Sequence, residues 1–311
     1  MKKYFGIIVV LALLAACSSA FLIPDPVPGG KKTTEQQQDS TEPAKDEPQS
    51  GLRADGNDEG TYELILSKGY NYECPDNSGA HASAPFRHIR QSYDKELGKY
   101  VFDFYLHIDN DDDRGLPNIT DRQRNEIKTD AHSPDSLVAQ YGETLRMTWK
   151  FRLPEGMQTT NKFAHIHQLK GIDNKEGNAD VSLPAITFTC RSLSNGKQQM
   201  QVIYTASNVE TAGGSTYLAR TDLAEFLGQW VSVTETVTFA DEGVYSVVVN
   251  RISDGKQLLK VDKASLDMWR TGCTGMRPKW GLYRNFGEKR SLAYLLRDEI
   301  LKFADFDIKK L

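Results

Sequence analysis

The chain has 311 residues, 39% of them hydrophobic, enough for one large folded domain with a substantial core. Its 38 Lys and Arg against 42 Asp and Glu give a formal net charge of −4, which argues against nucleic acid as a main partner. No cysteine pair has the CxxC spacing of a zinc site, and beyond the N-terminus no segment is apolar enough to span a membrane.

In chain order, Lys2 and Lys3 precede an apolar run, Phe5–Leu14, that is too short to cross a bilayer and has the layout of an export signal. Leu14-Ala15-Ala16-Cys17 resembles a bacterial lipobox, which implies cleavage before Cys17 and lipidation of that residue. Acyl chains there would hold the protein on a membrane surface, so the expected location is the cell envelope, with a lipid anchor in the outer membrane of a Gram-negative-type bacterium. Removal of Lys2 and Lys3 would take the formal charge from −4 to −6. Residues 17–60 read as a flexible tether. They hold Pro24, Pro26, Pro28, Pro43, Pro48 and a Gln36-Gln37-Gln38 run, with too few large apolar residues to offset chain entropy. Export permits a disulfide; Cys74, Cys190 and Cys273 allow at most one, with the pairing left open.

Residues 61–311 read as the β domain. Tyr100–Ile108, Thr144–Leu153, Ala185–Cys190, Gln199–Tyr204, Trp230–Phe239, Tyr245–Asn250, Pro278–Asn285 and Ala304–Lys309 have the composition and alternation of strands. Asn195-Gly196, Gly213-Gly214, Glu242-Gly243 and Asp254-Gly255 punctuate them, the last closing a hairpin. Helical signals are confined to Thr221–Gly228 and a turn in Leu292–Arg297. Many strands at near-even spacing predict an all-β fold of two packed antiparallel sheets, a sandwich or jelly roll.

Three strands carry residues of chemical interest. In Pro278–Arg284, Lys279, Gly281 and Tyr283 fall on one face, a cation and a phenol separated by a glycine; a nearby cation would favour phenolate. Trp280 falls on the opposite face and reads as packing. In the second strand Arg122, Arg124, Glu126 and Lys128 share a face unsuited to a core; Arg124 could grip a carboxylate in two hydrogen bonds, with Glu126 orienting its neighbours. In the third, His165 and His167 would share a face, with Ile166 and Gln168 on the other. Such a pair suits metal binding or proton transfer, and no further ligand lies nearby in sequence, so no metal is assigned. The run Asp109-Asn110-Asp111-Asp112-Asp113 reads as an exposed loop, with structural calcium as the alternative. Arg270, Arg277, Lys279, Arg284, Lys289 and Arg290 form a basic tail segment able to receive an anion.

Together, Arg124-Asn125-Glu126-Ile127-Lys128, His165-Ile166-His167 and Lys279-Trp280-Gly281-Leu282-Tyr283-Arg284-Asn285 resemble, in the same order, the three motifs of jelly-roll polysaccharide lyases, the alginate, glucuronan and heparin lyase I-like superfamily. The resemblance implies a concanavalin-like β-sandwich and cleavage of a uronic-acid-containing glycan by β-elimination, without a cofactor. It places His167 and Tyr283 at the catalytic point. It makes Arg124, Lys279, His165, Gln168, Asn125, Glu126, Arg122 and Arg284 substrate-binding candidates, with Arg124, His165 and Gln168 or Asn125 neutralising the uronate carboxylate. Two departures, His165 for a glutamine and Arg284 for a frequent asparagine, argue against assuming alginate. The implied partners are an anionic polysaccharide and, through the lipid, a membrane; the chain is expected to act as a monomer. The alternative is a non-catalytic, lectin-like glycan-binding lipoprotein on the same sandwich. A glycoside hydrolase ranks last, because no tight carboxylate pair is found.

Overall fold

The structure is a computed structural model; it describes residues 51–116, 118–207 and 214–311, the side chains of residues 263 and 264 excepted. The export signal, Cys17 and most of the expected tether lie outside the described residues.

Short helix α1 (Thr61–Ser67) and strand β1 (Asn71–Glu73) lead into β2 (Ile89–Asp94), β3 (Lys99–Leu106), β4 (Arg122–Lys128), β5 (Thr144–Arg152), β6 (Ala164–Ile172) and β7 (Ile186–Ser192). Then follow β8 (Gln198–Thr205), β9 (Ser215–Asp222), β10 (Trp230–Thr238), β11 (Gly243–Arg251), β12 (Gln257–Leu266), β13 (Gly275–Asn285) and β14 (Glu299–Lys310). They form two 7-stranded sheets, ordered β1-β4-β13-β6-β7-β8-β9 and β12-β11-β10-β5-β14-β3-β2, and every pairing between these strands is antiparallel. The chain is thus an all-β sandwich. Strand alternation explains the core: one side of β5 and β10 supplies Met147, Trp149, Phe151, Val231 and Val233, which meet Phe188, Trp280 and Leu282 from the first sheet. Each fully buried side chain of this size contributes about 1.5–3 kcal/mol over its exposed state.

The domain starts earlier than the expected Thr61. Leu52 is fully buried and pairs with Phe306 through backbone hydrogen bonds of 2.8 and 3.1 Å. The amides of Asp55 and Gly56 both donate to Gln91 Oε1 at 2.8 Å. Residues 51–60 are therefore fastened to the sheet, because backbone pairing and a buried leucine offset the entropy that composition alone left uncompensated. The predicted turn after Thr221 is a single 3₁₀ turn, Leu223–Glu225, with the Asp222 side chain accepting from the Ala224 amide at 3.0 Å. The described cysteines, Cys74, Cys190 and Cys273, are all free thiols.

Candidate active site

Strands β4, β13 and β6 are neighbours, so the three motif segments lie side by side. The ladder aligns Arg124 with Tyr283, Tyr283 with His165, His165 with Thr189 and Thr189 with Gln201, one row across the sheet's outer face. Two irregularities shape this row. Register slips between Trp280 and Tyr283 on the β13 side of β6, and between His165 and His167 on its β7 side. The backbone at Gly281 has φ +145°, and a Cβ there would lie 2.1 Å from the carbonyl oxygen of Asn125. Only glycine fits, so Gly281 serves the backbone rather than clearing room for a ligand.

Tyr283 stands between two guanidinium groups. Arg122 Nη1 donates to its hydroxyl at 3.0 Å, and Arg124 stacks over the ring with Cζ 3.6 Å from the centroid. Desolvation nevertheless dominates, and the Tyr283 pKa stays above its ordinary value despite the opposing pull of Arg124 and Arg122. The resting side chain is a phenol, not the phenolate that a neighbouring Lys279 suggested. Lys279 is turned to carboxylates.

His165 lies next to Tyr283, ring centroids 6.2 Å apart, and stacks on Phe163 at 4.5 Å. Thr189 donates to Thr187 Oγ1 at 2.9 Å, so its oxygen accepts from His165 Nδ1 at 2.7 Å. The hydrogen-bond direction assigns the Nδ1–H tautomer and leaves a lone pair on Nε2, which has no partner among the described residues. Desolvation pushes the imidazole down to about 3, with Glu126 opposing and Arg191 and Arg124 adding to it. His165 is therefore neutral and partly exposed, with an unspent lone pair on Nε2.

Below this pair lies a charged floor. Arg124 donates to Asp113 (Nε to Oδ1, 2.9 Å), Glu126 (Nη1 to Oε2, 2.8 Å) and Glu73 (Nη1 to Oε2, 3.2 Å). Lys279 pairs with Glu73 and, at 3.3 Å, with Glu126; Gln168 donates to Glu126 Oε1; Lys128 reaches Glu73 at 3.0 Å. Burial raises the Glu73 carboxyl, but Lys279, Arg124 and Lys128 outweigh it and hold Glu73 well below the usual carboxylate range. Burial pulls Lys279 downward, against the opposing pull of Glu126 and Glu73. Such a buried network is costly unless every member is paired, and it fixes geometry. At the β1 edge a cleft of about 680 Å³ opens beside Glu73, Arg114 and Lys128.

An open face that sets a phenol and a neutral imidazole side by side, backed by fixed cations, has the parts for moving a proton on an anionic ligand. Residues 87–300, more than half of the chain, match the family model described as polysaccharide lyase. The chain belongs to the polysaccharide lyase family. No curated protein matches its sequence. Among solved structures, the PL-14 alginate lyase from Aplysia kurodai aligns with a TM-score of 0.52 at 13% identity, covering 80% of this chain and 94% of that one. The endo-β-1,4-glucuronan lyase from the fungus Trichoderma reesei aligns with a TM-score of 0.46 at 13% identity, covering 76% and 94%. At such identity the likeness to the Aplysia enzyme is one of fold, and that fold is the jelly roll seen here.

In this lyase the sequence-derived candidates divide by face. Tyr283, His165, Arg122, Arg124, Glu126, Lys279 and Gln168 come together on the groove side. His167, Asn125 and Arg284 do not. His167 is fully buried between the sheets; its Nδ1 meets the Lys279 carbonyl at 2.9 Å and its Nε2 meets Glu235 Oε2 at 2.9 Å. The slip after His165 turns it to the core, against Trp149 and Trp280. Gln168 thereby returns to the groove. Asn125 points inward and donates to the carbonyls of His88 at 2.8 Å and Tyr105 at 3.1 Å. Arg284 is 1% exposed and donates inward to Gln123 at 2.6 Å and to the Arg297 carbonyl at 3.0 Å. Arg270 is equally buried, on the Thr205 carbonyl, so the basic tail does not form one surface patch. Arg124 itself is 6% exposed with most of its donors spent on carboxylates, which makes it a positioning residue under Tyr283 rather than a grip for a ligand. The acidic run is an exposed loop only in part: Asp109 and Asn110 are exposed, whereas Asp111 and Asp113 are buried.

Sequence reasoning missed Glu73, Asp113 and Arg191. Glu73 and Asp113 come from loops and a short edge strand whose pairing no local pattern announces. Arg191 follows Thr187 and Thr189 on the outward face of β7, since Phe188 and Cys190 fill the core; strand alternation could have found it. Neither Arg191 nor Arg277 on this face has an ion-pair partner among the described residues.

Proposed function

We propose that the chain cleaves a uronic-acid-containing polysaccharide by β-elimination. The observation that carries this reading is the juxtaposition of a phenolic Tyr283, hydrogen-bonded by Arg122, with a neutral His165 whose Nε2 is free. A uronate's C5 proton becomes removable once donors neutralise the adjacent carboxylate. The unpaired Arg191 flanks the pair and suits that task, while Arg122, held by both oxygens of Asp121, adds its field beside Tyr283. His165 Nε2 takes the C5 proton, the electron pair forms the C4–C5 double bond, and the C4–O bond breaks. Tyr283 gives its proton to the departing oxygen. The phenolate so formed lies between Arg122 and Arg124, and the proton on His165 returns to it through solvent. A cation is thus placed where each negative charge appears.

The export signal and Cys17 support a lipid-anchored enzyme on the cell envelope, its domain carried at the end of the preceding segment. The test is ultraviolet absorbance from unsaturated products across alginate, glucuronan, heparin-like and pectic polymers. Release from at least one is expected. Folded protein that binds a polymer without producing the chromophore would instead establish the glycan-binding alternative.

A further inference from the structure

Outside the groove, three of the six histidines of the chain converge on one buried carboxylate. Asp111 Oδ1 lies 2.8 Å from His81 Nε2, 3.0 Å from His88 Nε2 and 3.4 Å from His107 Nδ1. These four atoms all fall within 4.8 Å of one another. The three imidazole rings are 4.7, 5.4 and 5.9 Å apart, and Phe86 closes over them at 4.8 to 5.8 Å.

Two features point to positive charge at the centre. The first is donor count. His88 presents Nδ1 to Asp76 Oδ1 at 2.8 Å, which leaves Nε2 to face Asp111 Oδ1, lone pair to lone pair, unless a cation or proton lies between. A carboxylate bound to the far nitrogen is also the arrangement that fixes a metal-binding histidine. The second is charge. Asp76 is 8% exposed and Asp111 0% exposed, yet neither has a lysine or arginine within ion-pair distance among the described residues. A proton on His88, which bridges Asp76 and Asp111, balances only one of these two buried carboxylates, whereas a divalent ion would balance both.

We propose that His81, His88, His107 and Asp111 form a four-ligand site for zinc or a similar transition metal. Three imidazoles and one carboxylate suit zinc, whereas calcium would need six or more oxygens. All four positions being filled by protein makes the site structural. Its place in the fold gives it a task. The segment after His107 continues through Asp112, whose carbonyl accepts the Arg124 amide at 3.1 Å, to Asp113, which holds the Arg124 guanidinium. An ion bound by His107 and Asp111 would pin the loop that sets Arg124 beneath Tyr283.

The test uses the full chain without a histidine tag, stripped with chelator and titrated with zinc and, separately, with cobalt. One zinc ion per chain by elemental analysis, a Tm several degrees higher with metal, and the d–d absorption of four-coordinate cobalt are expected. The double variant His81→Ala, His107→Ala should fold and lose stoichiometric uptake. Asp76→Asn should weaken zinc binding about 10–100-fold by freeing the His88 ring. Folded wild type that takes up neither metal overturns the proposal, as does a double variant that binds as much as wild type.

Discussion

His165 and His167 sit two residues apart on β6 and meet opposite fates. Both rings stack on aromatic neighbours and both have a hydrogen-bonded nitrogen. His167 spends its second nitrogen on Glu235 across the sandwich and is sealed from solvent. His165 spends one nitrogen on Thr189 and keeps the other unpartnered at the groove. The same contrast separates two tyrosines. Tyr245 lies in the core near Glu235, its pKa raised well above 10 first by burial, while Tyr283 is also raised but meets two arginines at an open face. Reactivity in this molecule follows from an accessible, unspent lone pair or proton, and residue type alone does not confer it.

The largest effect should come from Tyr283→Phe. It removes the proton donated to the leaving oxygen while keeping the ring stacked on Arg124. Turnover is expected to fall about 10²–10⁴-fold, with polymer binding and Tm little changed. Substantial activity in this variant would move the acid elsewhere.

The two histidines can then be set against each other. His165→Gln should cost a similar factor, about 10²–10⁴, in kcat, without loss of stability. His167→Leu should do the reverse. It leaves Glu235 buried without its partner, at a cost of about 3–5 kcal/mol in unfolding free energy, and the folded fraction should keep near-normal turnover. Chemical denaturation and steady-state kinetics on both variants separate the roles; a catalytic loss in folded His167→Leu would refute the division drawn here.

That division also marks what could be read from the sequence. Alternation in β3, β5, β10 and β11 named the strands, and regular alternation correctly put Arg122, Arg124, Glu126 and Lys128 on one face. The three motif strands are sheet neighbours. A one-residue slip is invisible to a period of two, because nothing in Ala164-His165-Ile166-His167 signals an extra residue, yet it turns His167 to the core. Asn125 and Arg284 each lie one step from a groove residue, and simple alternation already sends them inward. The cluster of His81, His88, His107 and Asp111 has no regular spacing. It exists only because a loop, the start of β2 and the end of β3 fold onto one point.

A smaller effect is expected at Arg191, the free cation beside the pair. Losing one charge-assisted contact to the uronate carboxylate costs about 1.5–3 kcal/mol. Arg191→Gln should therefore raise KM about 10–100-fold for acidic polymers, with kcat less affected. An unchanged KM would assign carboxylate binding to Arg122 or Arg277.

The smallest effects should appear in the pH profile of kcat/KM. A base must be unprotonated, so activity falls as pH drops through its pKa. Because His165 is held far below the ordinary histidine value of 6.5, no acid limb should appear near neutrality. An acid must be protonated, so activity falls as pH rises through the Tyr283 pKa, which lies above 10. The result is a broad plateau rather than a narrow bell. Arg191 is one of the charges that disfavour imidazolium at His165, so Arg191→Gln should move the acid limb toward higher pH. A shift in that direction, with the alkaline limb in place, would tie the limb to His165. A wild-type acid limb near pH 6.5 would mean that water reaches the ring freely and that burial does not tune the base.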